Sequence, residues 1–150
     1  MSDLHLVELS AKTIVAVNNL SLKPGQEQFL APVSYGVAAT VADPKKTWQR
    51  VVLDEDRVVA FVSANFDPEA EDENFRSVLW RINVNAKHQG RGVGRFAVDS
   101  LLTEARERDM DHVTVIYEAG EDGPEAFFTR VGFTPVGETP YGEVVAEVRF

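Results

Sequence analysis

Between Val78 and Glu118 the chain reads as strand, glycine-rich turn, helix and strand again, and this unit limits the possible folds more than any other stretch. The apolar run Val78–Val84 leads into "QGRGVGR" (Gln89–Arg95). A helix over Gly92–Arg108 follows, with Val93, Phe96, Ala97, Leu101 and Ala105 recurring near helical spacing. "HVTVIYE" (His112–Glu118) then returns to strand. Two strands joined through a helix read as a parallel crossover, since a parallel pair needs such a long connection. Everything around this unit reads as antiparallel. "WQRVVLDEDRVVAFVSANF" (Trp48–Phe66) is two β-branched runs joined by a tight acidic turn, hence a hairpin. "FTPVGE" and "EVVAEVRF" form a closing antiparallel pair after a short helix at Pro124–Val131.

Ahead of the hairpin, Leu4–Leu9 alternates as a first strand, while Lys12–Leu20 and Ser34–Ala42 read as short helices separated by "KPGQ". The predicted order is β–α–α–β–β–β–α–β–α–β–β. It describes an α/β (α+β) fold with a mixed, mostly antiparallel sheet of about seven strands flanked by about four helices. With 150 residues, no repeat and no linker-like stretch, residues 1–150 are expected to form a single domain. In the strand Val78–Val84, alternation predicts Val78, Trp80, Ile82 and Val84 on one face, with Leu79, Arg81 and Asn83 on the other.

Composition removes several chemistries. There is no cysteine, which excludes disulfides, thiolate nucleophiles and zinc–thiolate sites. The three histidines are not spaced as metal ligands: His5 and His112 read as structural, His88 as solvent-facing, and no metal is expected. Fifteen basic against 24 acidic residues give a net charge of −9, which repels nucleic acid and anionic membranes and favours cationic small molecules. "MSDLHLVELSAK" has no apolar signal core and no run approaches the roughly 20 apolar residues of a membrane span, so a cytoplasmic location is expected. Trp48 and Trp80 read as core residues.

A helix start presents unpaired backbone N–H groups and partial positive charge, which suits phosphate oxygens. Gly90, Gly92 and Gly94 let the backbone approach a ligand closely, and Arg91 and Arg95 supply charge. A helix that merely begins at a flexible turn would explain the glycines equally well. The nucleotide-triphosphate loop is excluded, for no Gly-Lys-Ser/Thr is present, and the third glycine falls one residue early for a dinucleotide fingerprint.

The pattern Val84, Gln89, Gly92, Gly94, placed between strand and helix, resembles the acyl-CoA-binding motif of the GNAT superfamily of N-acetyltransferases. "EAFFTRVGF" (Glu125–Phe133) is similar to that family's later helix with its Gly-Phe signature, and the element order matches along nearly the whole chain. Within the family, "QEQFLAPVSYGVAAT", "LWRINVNAKHQGRGVG" and "GEVVAEVRF" most resemble bacterial polyamine (spermine/spermidine or diamine) acetyltransferases. The resemblance implies acetyl-CoA as co-substrate and a small-molecule amine as acceptor. It implies a pyrophosphate on the amides of Gln89, Gly90, Arg91, Gly92, Val93 and Gly94, with Arg95 nearby. The pantetheine arm would lie along the strand containing Ile82, Asn83 and Val84, whose N–H groups also hold the oxyanion.

It further implies a tyrosine at Phe128, to protonate the departing thiolate, and a CoA-binding asparagine at Glu121; the chain carries neither. Tyr117, at the end of its strand, and Tyr141, in the final hairpin, are the substitute donors. Glu118 and the acidic loop "DPEAEDE" (Asp67–Glu73) are the proton acceptors to consider, and that loop is expected beside the Pro140–Gly142 tip, opposite the glycine turn. Two other readings remain beside the small-molecule enzyme: an acetyl-CoA-binding sensor that has lost turnover, and an acetyltransferase of protein amino groups. Many relatives are dimers, so the closing strands are also a place for a homodimer contact.

Overall fold

The computed structural model describes residues 4–11, 13–18, 45–85, 92–120 and 124–150. Its strands are β1 (Leu4–Glu8), β2 (Thr47–Asp54), β3 (Arg57–Phe66), β4 (Ser77–Val84), β5 (His112–Tyr117), β6 (Thr134–Glu138) and β7 (Val144–Arg149). The helices among the described residues are α1 (Ile14–Asn18), α2 (Val93–Glu107) and α3 (Glu125–Arg130), with a 3-10 turn at Glu73–Phe75. The seven strands form one sheet in the order β1-β2-β3-β4-β5-β7-β6. Only β4 and β5 pair in parallel. The α1 helix lies within the expected Lys12–Leu20 span, whereas Ser34–Ala42 and His88 lie outside the described residues.

The hairpin β2–β3 turns at Glu55, whose φ of 57° is the left-handed conformation a two-residue turn needs. β3 is buried along almost its whole length, as a central strand should be. The main core lies between the sheet and α2, which presents Val93, Ala97, Val98, Leu101, Leu102 and Ala105 to Val62, Leu79, Ile82 and Val115. Phe128 and Val131 of α3 and Phe133 complete this layer. Trp48 is 2% exposed and joins the same core, with the Arg50 guanidinium 5.0 Å above its ring.

The alternation expected along β4 does not hold. Ser63 pairs with Arg81, and the next residue of β3, Ala64, pairs with Leu79, so Trp80 is an extra residue without an opposite number. Such a bulge inverts the alternation beyond it. Leu79 and Ile82, three apart, therefore both face the α2 core, with Val84 packed against it. Trp80 turns to the opposite face, where it packs with Phe75, Ile116 and Val145. Beyond the bulge Arg81 and Asn83 share that opposite face, and Arg81 Nε donates to Asn83 Oδ1 at 2.8 Å.

Register also moves the acidic loop. β5 runs parallel to β4 and antiparallel to β7, with His112 opposite Arg149 and Tyr117 opposite Val144. The β6–β7 tip containing Tyr141 thus lies at the C-terminal ends of β4 and β5, the end from which the glycine turn departs. The loop Asp67–Glu73 lies at the other end, so the expected juxtaposition of loop and tip is overturned.

Candidate active site

The parallel pair β4–β5 is short. Val78 pairs with Thr114 and Leu79 with Val115, and there the ladder stops. β4 nevertheless continues beside β3 as far as the Ala60–Val84 pair, and β5 continues beside β7 as far as Tyr117–Val144. Both strands stay in the sheet while separating from each other. The separation begins at the bulged Trp80, because a bulge bends its strand and disrupts the ladder. The result is a slit walled by Trp80–Val84 on one side and Ile116–Tyr117 on the other.

The N-terminal end of α2 adjoins this slit through Val84. Gly92 caps the helix with φ 81°, and the first helical hydrogen bond runs from Phe96 N to Gly92 O at 2.9 Å. The amides of Val93, Gly94 and Arg95 precede that bond and are the open donors of a helix start. A Cβ built on Gly92 meets nothing within 4 Å, so this residue is glycine for its left-handed φ and stands beside open space. Gly94 is glycine for a different reason. A Cβ there would lie 2.7 Å from Phe127 Cε1, so the missing side chain lets α2 pack closely on α3. Arg95 Nη2 donates to the Arg130 carbonyl at 2.7 Å, tying the end of α3 to α2. Gln89, Gly90, Arg91 and Glu121 lie outside the described residues.

On the β5 wall, Tyr117 is 1% exposed and its ring stacks on Phe128 at 5.4 Å with 25° between planes. The hydroxyl lies 3.4 Å from Glu125 Oε1, at the start of α3. Burial, with the Glu125 charge and hydrogen bond adding to it, pushes that hydroxyl up to about 12. Tyr117 therefore remains protonated across the physiological range, in the state from which a proton is given. Glu118 follows β5 and is exposed; Tyr141 is 68% exposed on the hairpin tip.

Glu143 is the carboxylate that reading the sequence passes over. It is only 5% exposed and accepts from Thr139 Oγ1 at 3.2 Å. Nothing in "YGEVV" distinguishes it from a solvated hairpin glutamate; only its burial does. Glu125 gave no signal either, since it meets Tyr117 across a loop rather than at a regular spacing.

At the paired end the polar side chains are structural. His112 Nδ1 lies 2.5 Å from Asp111 Oδ1, and Nε2 lies 2.8 Å from the Glu73 carbonyl. Thr114 Oγ1 donates to the Asn74 carbonyl at 2.5 Å. Among the described residues, no three acidic or histidine side chains are grouped as a metal ion requires. None of the described helices is long and apolar enough to cross a membrane.

The model of the acetyltransferase (GNAT) family matches residues 17–133. The chain belongs to the GNAT family. That family is one of acetyltransferases. L-2,4-diaminobutyric acid acetyltransferase of Shouchella clausii (strain KSM-K16) is 28% identical over 81 residues, which are 54% of this chain and 44% of that protein. The chain thus spans less than half the length of this relative. Among solved structures, the PaiA N-acetyltransferase of Thermoplasma acidophilum, in complex with coenzyme A, superposes with a TM-score of 0.74 at 7% identity, covering 99% of each chain. The ribosomal-protein-S18-alanine N-acetyltransferase of Escherichia coli gives 0.67 at 13% identity, covering 98% of this chain and 94% of that one. At such identities these likenesses speak for the fold.

The GNAT chain's own residues fit the co-substrate in two respects. Open amides and an unobstructed Gly92 sit at the start of α2, and the bulged half of β4 faces a gap where a strand partner would otherwise lie.

Proposed function

We propose that this acetyltransferase acts on a primary amine of a small aliphatic molecule with more than one nitrogen, polyamine-like, bound at the open half of the slit. The single observation that carries this reading is the parting of β4 from β5 after Leu79 and Val115. It leaves two strand edges facing each other with room for an extended chain between them. The resemblance to polyamine acetyltransferases, the net charge of −9, and a relative named for a diamino acid all favour a small amine. We read residues 1–150 as one such domain, acting in the cytoplasm.

Acetyl-CoA supplies an activated acetyl thioester. Gln89, Gly90, Arg91, Gly92, Val93, Gly94 and Arg95 hold its diphosphate through main-chain amides and charge, and Glu121 also contacts the co-substrate. The main chain of Ile82, Asn83 and Val84 aligns the arm and donates N–H to the carbonyl oxygen. Tyr117 replaces the hydroxyl missing from Phe128: the two rings are stacked, so the proton donor has moved to the neighbouring strand. Glu118 and Tyr141, at the same end, shape the acceptor's approach.

The test is incubation with acetyl-CoA and a panel of polyamines, diamino acids, aminoglycosides and peptides, following free thiol and product mass. Thiol release with small amines and none with peptides is expected. Acetylated peptides with inert small amines would move the acceptor to protein. Tight acetyl-CoA binding with no turnover on any amine would make the chain a sensor, the reading that Phe128 alone favours.

A further inference from the structure

Resting on the small-amine reading, we propose that the acceptor carries a carboxylate as well as its amines, and that Arg81 reads it. Diamino acids would then be preferred to plain diamines and polyamines. The bulge at Trp80 creates this possibility. It places Trp80 and Arg81 consecutively on the face of β4 away from α2, at the point where the slit opens. The Trp80 indole is fixed there, with Nε1 donating to Ser63 Oγ at 2.8 Å and the ring packed against Ile116 and Val145. This makes a rigid apolar floor that crosses from β4 to β7.

Arg81 stands exposed at the β4 edge of that floor. Its Nε is engaged by Asn83 Oδ1, which orients the guanidinium. Among the described residues no carboxylate forms an ion pair with Arg81. A planar fork held by one donor and open at the others is the group that grips a carboxylate in two-point fashion. A plain polyamine offers this residue only charge of its own sign.

The opposite edge of the floor has the opposite charge. Glu143 stands two residues before Val145, hence on the same face of the sheet, and is held by Thr139. Arg81 on one wall and Glu143 on the other, across an apolar floor, complement a short zwitterion with an additional amine. In an acidic molecule, the cation chosen for this wall is the discriminating feature.

The experiment measures kcat and KM for matched pairs differing only in the carboxylate: 2,4-diaminobutyrate with 1,3-diaminopropane, ornithine with putrescine, and lysine with cadaverine. The wild-type enzyme should favour each acid by about ten- to a hundredfold in kcat/KM, the range of one charge-assisted contact. Arg81→Gln should bring the acids down to the level of their diamines through KM, with kcat little altered, and Arg81→Lys should restore part of the preference. Diamines used as well as the acids by the wild-type protein, or an Arg81→Gln loss equal on both members of each pair, would overturn the proposal. Calorimetry on the acetyl-CoA-loaded protein separates the two readings. Acid-selective binding lost in Arg81→Gln but without turnover supports the carboxylate site while removing the enzymatic reading. Absence of both binding and turnover removes both.

Discussion

The two ends of the β4–β5 pair are built from the same backbone and behave in opposite ways. At the N-terminal end the strands are laddered, and side chains from β5 reach across to the turn that precedes β4. His112 meets the Glu73 carbonyl, Thr114 the Asn74 carbonyl, and the Arg108 guanidinium covers the Phe66 ring at 4.4 Å. At the C-terminal end no ladder joins the strands, and the side chains lean outward to other elements: Tyr117 to Glu125 and Phe128, Trp80 to Ser63. The gap is held open. One end is fastened so that the other can stay apart, and stability and chemistry are thereby assigned to different residues of the same two strands.

The strongest test of this division is Tyr117→Phe. The ring and its stacking survive, so stability should fall by no more than about 1 kcal/mol. The acetyl-transfer rate should fall by roughly 10²–10⁴-fold, the contribution of one general acid, as single-turnover thiol release would measure. A mutant that unfolds easily while transferring normally would reverse the assignment. Thr114→Val probes the fastened end with the opposite signature. It leaves the Asn74 carbonyl without its donor and should cost about 1–3 kcal/mol by urea denaturation, with transfer rates nearly unchanged in the folded protein.

The smallest expected effect concerns acid. The His112 side chain bonded to Asp111, with Arg149 adding charge, holds the Asp111 carboxyl below its ordinary value of 3.8. As pH falls, the unfolded chain takes up this proton first, so the stabilisation is present above that value and is lost as pH falls through the lowered one. Asp111→Asn should flatten the acid limb of a denaturation series there; an unaltered limb would detach this residue from the fastened end. Because Asp111 is exposed, the slope should be shallow.

Much of the architecture is legible in the sequence because each signal is local. β-branched runs around "DEDR" specify the β2–β3 hairpin, and Val93 to Ala105 specify α2 by helical spacing. The glycine turn marks the start of α2. Four features were not legible. The bulge at Trp80 leaves no trace, since Val78, Trp80, Ile82 and Val84 satisfy an unbroken alternation against Arg81 and Asn83. The positions of the acidic loop and the Tyr141 tip depend on strand direction across β5 and β7, a relation between distant segments. Gly92 and Gly94 look equivalent, yet one serves a backbone angle and the other a neighbour's ring. The site's polar groups Glu125 and Glu143 were hidden for the same reason, because their partners are set by tertiary contact.

The surplus residue in β4 has a consequence for how this site can drift. Since the opening is produced by a count of peptide units rather than by the bulk of any side chain, its width is insulated from most point substitutions. Residues lining it are thereby free to exchange chemistry, one acceptor for another, while the aperture is inherited intact. A frame-preserving loss of a single codon at Trp80, by contrast, would let the two strands zip shut.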